Sequence, residues 1–309
     1  MQAGIIKYKP TQEAMTKVDR ANYAGGRSGA YVDAPQPIGY GQTISAPHMH
    51  AHALEELMPT LQKAAQDHPD MELKILDVGC GSGYLTACFG RLVDRGPNGP
   101  ILPVKGRVYG IDAWSELVDF SRANMMKEDP DLFDSGTVSL QFGDGWEGLP
   151  DAGPFNAIHV GAAAATFPKS LMQQLAVDGV MVIPVGPDGG VQNLYNVRKI
   201  KDSPKFDEND YVIKEFARCT LCASLPSLVG CILIFPILCY IFILGFLNFA
   251  TFLLDCCEAV RICSYLVSVC AELFSAAFLR AVRDPVWSGF RIDLYPAGQK
   301  LLVQLSLIK

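Results

Sequence analysis

The ten residues LDVGCGSGYL, Leu76 to Leu85, decide how the rest of the chain is read. A β-type apolar run, "LKILDVG", leads in, and the helix-forming "YLTACFGRLV" leads out. Glycine lets a backbone turn tightly and come close to a ligand, and a helix start offers free N–H groups with a partial positive charge. A strand that runs through spaced glycines into a helix is therefore a ligand-binding turn. The glycines Gly79, Gly81 and Gly83 are spaced G-x-G-x-G, not G-x-G-x-x-G as in dinucleotide binders. Asp77, two residues before the first glycine, is placed to accept from an ammonium group or to orient the loop. A zwitterionic amino-acid end suits this arrangement better than a pyrophosphate.

On either side of the loop the chain alternates strand-like and helix-like runs, the pattern of a mostly parallel, doubly wound α/β sheet. After "LKILDVG" (Leu73 to Gly79) come "GRVYGID" (Gly106 to Asp112), "TVSLQFGDG" (Thr137 to Gly145), "FNAIHVG" (Phe155 to Gly161) and "GVMVIPVG" (Gly179 to Gly186). Three crossover helices are expected between them. The first is "YLTACFGRLV"; the second is "SELVDFSRANMMKE" with Ser115 as N-cap; the third is "PKSLMQQLAVDG" with Gly179 as its stop. "DRGPNGPILPVKG" (Asp94 to Gly106), with three prolines and three glycines, reads as a surface insertion.

Two further strand ends carry polar groups suited to a nucleoside. Asp112 closes the second strand, where an acid accepts from ribose hydroxyls. Gly143, Asp144 and Gly145 close the third, where backbone groups and a carboxylate can meet an adenine. A single such turn is ordinary strand-end chemistry. Three in succession along one sheet edge point to S-adenosylmethionine.

The 309 residues carry a net charge of -6, and no basic block concentrates Lys and Arg, so a nucleic-acid partner is not expected. Only Cys80 and Cys88 precede residue 200, and the N-terminus has no apolar stretch with a small-residue cleavage site. Both features suit a reducing, cytoplasmic setting for the first two thirds.

The character changes near residue 218. Charged residues are 19% of the chain against a usual figure of about 25%, and the mean hydropathy is +0.19. The imbalance lies in the tail: Cys219 to Leu254 is 36 residues without a charge. Roughly 20 apolar residues span a bilayer as a helix. Residues 1–218 are thus expected to form the catalytic domain. Residues 219–309 are expected to be an apolar, helical tail with one transmembrane helix over about 225–250, followed by an amphipathic helix over about 259–283 that carries Arg261, Glu272, Arg280 and Arg283. A misassigned or alternatively spliced segment, or ordinary core, would be the other accounts of such a tail.

"YGQTISAPHMHAHALEEL", Tyr40 to Leu57, holds Thr43, Ser45 and three histidines, His48, His50 and His52, ahead of a helix starting near Pro47. A zinc site is disfavoured because the H-E-x-x-H pattern and a third ligand are missing. A serine hydrolase is disfavoured because Ser45 has no G-x-S-x-G elbow. Thr43 and Ser45 could also simply cap the helix.

This stretch belongs to a larger set. "DRANYA" (Asp19 to Ala24), "YVDAPQPIGYGQTISAPHMHAHALE" (Tyr31 to Glu55), "LDVGCGSGYLTACF", "VYGIDAWSELV", "GDGWEG", "FNAIHVGAAAA" and "IPVGPDGG" follow in an order and spacing that resemble the protein-L-isoaspartate (D-aspartate) O-methyltransferase family. The resemblance covers about residues 5 to 200 and implies a class I, Rossmann-like methyltransferase. It implies transfer of the S-adenosylmethionine methyl to the α-carboxylate of L-isoaspartyl and D-aspartyl residues in damaged proteins and peptides. It implies Ser45 as the active-site residue. By the same resemblance the cofactor contacts are Gln42, Thr43, Ile44, Ser45, His50, Gly79, Cys80, Gly81, Ser82, Gly83, Asp112, Ala113, Gly143, Asp144 and Gly145. Asp77 joins them on the loop geometry above, and no metal is called for.

The family pattern also implies a pocket-closing "VPLT" after the last strands, and the chain has none. A helix ahead of "DRANYA" is expected in shortened form. Two other functions remain beside repair: a membrane-tethered cofactor-binding protein without activity, and a class I methyltransferase for another substrate.

Overall fold

A computed structural model of the chain describes residues 4–26, 28–187, 190–219, 290–297 and 300–307. In chain order the elements are α1 (Lys9–Lys17), β1 (Gln36–Gly39), β2 (Gln42–Ile44), α2 (Pro47–Asp67), β3 (Leu73–Val78), α3 (Tyr84–Leu92), β4 (Gly106–Asp112), α4 (Ser115–Glu128), α5 (Asp131–Asp134) and β5 (Val138–Phe142). There follow β6 (Phe155–Val160), α6 (Lys169–Gln173), β7 (Leu175–Val185), β8 (Gln192–Lys199), β9 (Tyr211–Cys219), β10 (Phe290–Ala297) and β11 (Lys300–Leu307). Backbone contacts group the chain into two units, Met1–Ile232 and Leu233–Lys309.

The first unit is built on a seven-stranded sheet in the order β5-β4-β3-β6-β7-β8-β9. The pairs β5-β4, β4-β3, β3-β6 and β6-β7 are parallel, and β7-β8 and β8-β9 are antiparallel. The order reverses beside β3, and open α/β sheets bind their ligands at such a reversal, outside the carboxyl ends of the strands. The glycine loop leaves β3 there.

Strand residues alternate between the two faces of the sheet. Ile75 of β3 and Val180 and Val182 of β7 enter a large core with Leu54, Leu57, Met58 and Leu61 of α2 and Phe89 and Leu92 of α3. Leu76 and Val78 of β3 and Met181 and Ile183 of β7 enter a smaller one with Leu171 and Met172 of α6. Both faces are covered, which is why the central strands read as near-continuous apolar runs. In α2 the buried residues His50, Leu54, Leu57, Met58, Leu61 and Ala65 recur at helical spacing, so one face of a 21-residue helix packs on the sheet.

Several expectations are corrected. The third crossover helix stops at Gln173, and "LAVDG" belongs to β7. Leu175 pairs with Phe155 of β6, and a Cβ on Gly179 would lie 2.8 Å from the Phe155 carbonyl oxygen. Gly179 is there for close approach of two strands and does not stop a helix. Ser115 is the first residue of α4 and not its cap, which is Trp114 without a side-chain bond. The Asp94 to Gly106 segment is only partly surface, because Leu102 and Val104 insert into the large core. The helix ahead of "DRANYA" is present as the nine residues of α1. Glu55 of α2 secures its start by accepting from the N–H groups of Lys7 and Tyr8.

The weakly patterned "VQNLYNVRKIKDSPKF" and "YVIKEFARC" supply β8 and β9, which extend the sheet as an antiparallel meander up to Cys219. The expected membrane helix over 225–250 and amphipathic helix over 259–283 lie outside the described residues. Among the described residues no helix is long and apolar enough to cross a membrane. The second unit's described part is an antiparallel hairpin, β10 against β11, from Phe290↔Leu307 to Ala297↔Lys300. Neither expected helix included these residues.

Candidate active site

The glycine loop has the geometry its sequence demands. Gly79, Gly81 and Gly83 have φ of 74°, 55° and 86°, in the left-handed region that glycine enters without steric cost. Gly83 has a second reason, since a Cβ there would lie 2.2 Å from the Ser121 hydroxyl oxygen. Asp112 at the end of β4 holds the loop: its Oδ2 accepts from the Gly81 N–H at 2.9 Å and its Oδ1 from the Trp114 N–H at 3.1 Å. Burial raises the Asp112 pKa, and these two N–H groups act against that rise. Ala113 is buried beside it.

Cys80 is buried in the loop, its N–H bonded to the Ile111 carbonyl, and burial pushes its thiol well above the usual range. Ser82 is buried, with its carbonyl accepting from Asn124. At the next strand end Gly143 donates to the Asp112 carbonyl, and Asp144 accepts from the Trp146 N–H two residues on. Gly145 follows, also buried. Asp77 is 1% exposed and already engaged at both oxygens: Oδ2 accepts from the Thr86 hydroxyl, and Oδ1 meets His159 Nδ1 at 2.7 Å.

The hairpin of β1 and β2 turns through Gly39, Tyr40 and Gly41, all at positive φ. It lies over the loop: a Cβ on Gly81 would come within 3.5 Å of Ile38 Cδ1. On β2, Ile44 points into the core, Thr43 is exposed and Gln42 is half-buried. The chain then passes Ser45 and enters α2 at Pro47. The cap position is Ala46 with no side-chain bond, so neither Thr43 nor Ser45 caps the helix.

Ser45, Met49, His50, His159, Gly161 and Phe216 are among the residues lining a partly enclosed pocket. Gly161 brings it against the loop, because a Cβ there would lie 2.8 Å from the Gly79 carbonyl oxygen. Phe216 of β9 and Leu194 of β8 line its far side. The antiparallel meander thus contributes to the lining of this pocket.

The three histidines have separate fates. His48 Nδ1 pairs with Asp33 at 2.8 Å at the surface, and His52 lies edge-on to His48. His50 is buried, with Nδ1 3.2 Å from Arg20 Nη1 and its ring 5.1 Å from that of Tyr84. Burial first, and then the Arg20 charge, lower the His50 pKa well below the ordinary value, so the ring is neutral. A guanidinium only donates, so His50 Nδ1 accepts and Nε2 carries the hydrogen. Among the described residues no group of three His, Cys, Asp or Glu is arranged to hold a metal.

Arg20 is the residue that sequence reasoning left without a role. It is 4% exposed, donates to the carbonyls of Ala30 at 2.8 Å and Ser45 at 2.7 Å, and lies over the Tyr84 ring at 5.3 Å. Nothing local in "DRANYA" announces contacts across 10 to 30 residues. His159 was also unassigned. Its place near the carboxyl end of a central strand, like that of Asp112, is the signal that would have found it.

The sheet, the glycine loop leaving β3 and the acid closing β4 define a class I S-adenosylmethionine-dependent methyltransferase. The residues fit that cofactor: the start of α3, where the first N–H groups have no partner within the helix, and a cradle kept open by glycines at positive φ. Residues 1–214 match the family model for protein-L-isoaspartate(D-aspartate) O-methyltransferase (PCMT). The chain is 42% identical over 214 residues to the protein-L-isoaspartate O-methyltransferase of Triticum aestivum, covering 69% of this chain and 85% of that one. It is 45% identical over 184 residues to protein-L-isoaspartate O-methyltransferase 2 of Arabidopsis thaliana, covering 59% of this chain and only 54% of that one, so it spans about half of that relative. A Plasmodium falciparum chain assigned as a protein-L-isoaspartate O-methyltransferase, solved with S-adenosyl-L-homocysteine, superimposes with a TM-score of 0.57 at 29% identity, covering 72% of this chain and 92% of that one. The chain belongs to the protein-L-isoaspartate(D-aspartate) O-methyltransferase family of protein repair enzymes.

Proposed function

We propose that this chain methylates the free α-carboxylate of isoaspartyl residues in damaged proteins and peptides. The observation that carries this is the pocket in which Ser45 and His50 face the backbone beside the glycine loop. S-adenosylmethionine, when bound, supplies a methyl group on a positively charged sulfur. Gln42, Thr43, Ile44, Gly79, Cys80, Gly81, Ser82, Gly83, Asp112, Ala113, Gly143, Asp144 and Gly145 are the residues proposed to hold it; Asp77, expected to meet its ammonium group, is instead buried against Thr86 and His159 and supports the site from behind.

An ionised carboxylate needs no general base, so the protein's task is to place and partly desolvate it. Ser45 meets that need with a hydroxyl that donates to the carboxylate. His50, neutral and with its hydrogen on Nε2, offers a second donor without a fixed charge that would deaden the nucleophile. Arg20 keeps both in place from behind.

Methyl transfer by the full chain to an isoaspartyl peptide, set against the same peptide with ordinary aspartate, tests this. Transfer to the isoaspartyl peptide alone is expected, and equal transfer to both, or to neither, removes the proposal. Attachment of the tail to a membrane rests on the uncharged run from Cys219 to Leu254. Recovery of all the expressed chain in the soluble fraction would exclude it.

A further inference from the structure

His159 stands near the carboxyl end of β6 and lines the pocket together with Ser45 and His50. Its side chain is 14% exposed, and its Nδ1 faces a buried carboxylate oxygen of Asp77 at 2.7 Å. A carboxylate accepts only, so Nδ1 carries the hydrogen in that bond. Thr86 holds the other Asp77 oxygen, so the ring is anchored to a group that is itself fixed. Among the described residues Nε2 of His159 has no hydrogen-bond partner.

The two pocket histidines therefore have opposite character. His50 accepts from Arg20 through Nδ1 and so donates through Nε2. A neutral His159 donates to Asp77 through Nδ1 and so accepts through Nε2. With the Ser45 hydroxyl, the pocket holds two donors suited to a carboxylate and one acceptor suited to an N–H group. In an isoaspartyl residue the free carboxylate and the amide N–H are attached to the same carbon. In an ordinary aspartyl residue the free carboxylate is one carbon further from that N–H. One C–C bond, about 1.5 Å, exceeds the spread of good hydrogen-bond distances, so an acceptor at a fixed distance from the donors can tell the two apart.

We propose that His159 is a specificity-determining residue that accepts the backbone N–H on the carbon bearing the reactive carboxylate. This rests on the function proposed above. The test uses the full chain and two isoaspartyl peptides, identical except that one carries a methyl group on the isoaspartyl amide nitrogen. In the unaltered protein N-methylation should raise KM about tenfold with kcat nearly unchanged, the size of one lost hydrogen bond. His159→Asn keeps an N–H toward Asp77 and has no atom at the Nε2 position, its own amide oxygen lying closer to the backbone. It should raise KM for the parent peptide by a similar factor, make N-methylation nearly neutral, and leave the affinity for S-adenosyl-L-homocysteine unchanged.

Equal KM values for the two peptides in the unaltered protein would overturn the proposal, and that comparison needs no variant to fold. An undiminished N-methyl penalty in His159→Asn would also overturn it. So would a loss of S-adenosyl-L-homocysteine affinity in that variant, which would assign His159 to the cofactor loop. If the unaltered chain methylates neither peptide, the proposed function fails and this inference with it, a result distinct from the other three.

Discussion

Arg20 and Ser45, 25 residues apart in sequence, are joined by a 2.7 Å hydrogen bond from the Arg20 Nη2 to the Ser45 carbonyl. The same guanidinium holds His50 and the Ala30 carbonyl, so one buried cation sets the path of the chain into α2. Arg20→Lys keeps the charge but cannot reach three partners from a rigid fork. We expect kcat on an isoaspartyl peptide to fall at least tenfold. Arg20→Ala, which also leaves two buried acceptors unpaired, should in addition lower stability by about 2–4 kcal/mol. Steady-state kinetics and denaturant titration measure the two effects separately.

Ser45→Ala removes the proposed donor to the substrate carboxylate and leaves the backbone path, held by Arg20, intact. Turnover should drop by about 10²-fold, the size of the effect when a reactant is misplaced by about 1 Å, while S-adenosyl-L-homocysteine still binds in a calorimeter. Unchanged turnover would take Ser45 out of the mechanism.

Gly83→Ala would combine a φ of 86° with a Cβ 2.2 Å from the Ser121 hydroxyl oxygen. The backbone strain alone costs roughly 1–2 kcal/mol, and the contact adds to it. Thermal melting should reveal the loss, and S-adenosyl-L-homocysteine affinity should fall with it because the loop must shift. Replacing Ser121 by Gly as well should restore part of the stability, since it relieves the contact but not the φ.

Arg91 gathers Asp94, Asp129 and Asp131, and Tyr23 donates to Asp129 at 2.5 Å, tying the N-terminal segment to α3, α4 and α5. The hydrogen bond from Arg91 lowers the Asp131 pKa. A carboxyl depressed on folding stabilises above its unfolded value, near 3.8, and loses that contribution as pH falls through the lower folded value. Asp131→Asn should therefore melt earlier than the unaltered protein at neutral pH, and the gap should narrow below about pH 4. A gap that stays constant down to acid pH would show that this pair's charge does not contribute.

Much of this molecule was legible in the sequence because its signals are local. A strand that ends in spaced glycines before a helix start is defined by ten adjacent residues, Leu76 to Leu85, and the observed positive φ values follow from the glycines themselves. The apolar runs of β3, β4, β6 and β7 announced a sheet covered on both faces, whereas the bonds from Gly81 and Trp114 to Asp112 were not read from the sequence, which offered that acid only to ribose hydroxyls. Where local signals pointed the wrong way, tertiary contact overrode them. "LAVDG" has helical company in sequence but pairs with β6, and Gly179 serves the close approach of two strands.

The sequence by itself determined the parallel α/β core, the cofactor loop and the family. Only the tertiary structure decided what surrounds Ser45. Arg20 reaches Ser45 and His50 across 25 and 30 residues, and Asp77 reaches His159 across 82. Such pairs leave no periodicity or spacing to read, because their hydrogen bonds form only once the packing of α2 and α3 on the sheet has brought together polar groups distant in sequence and shielded them from water.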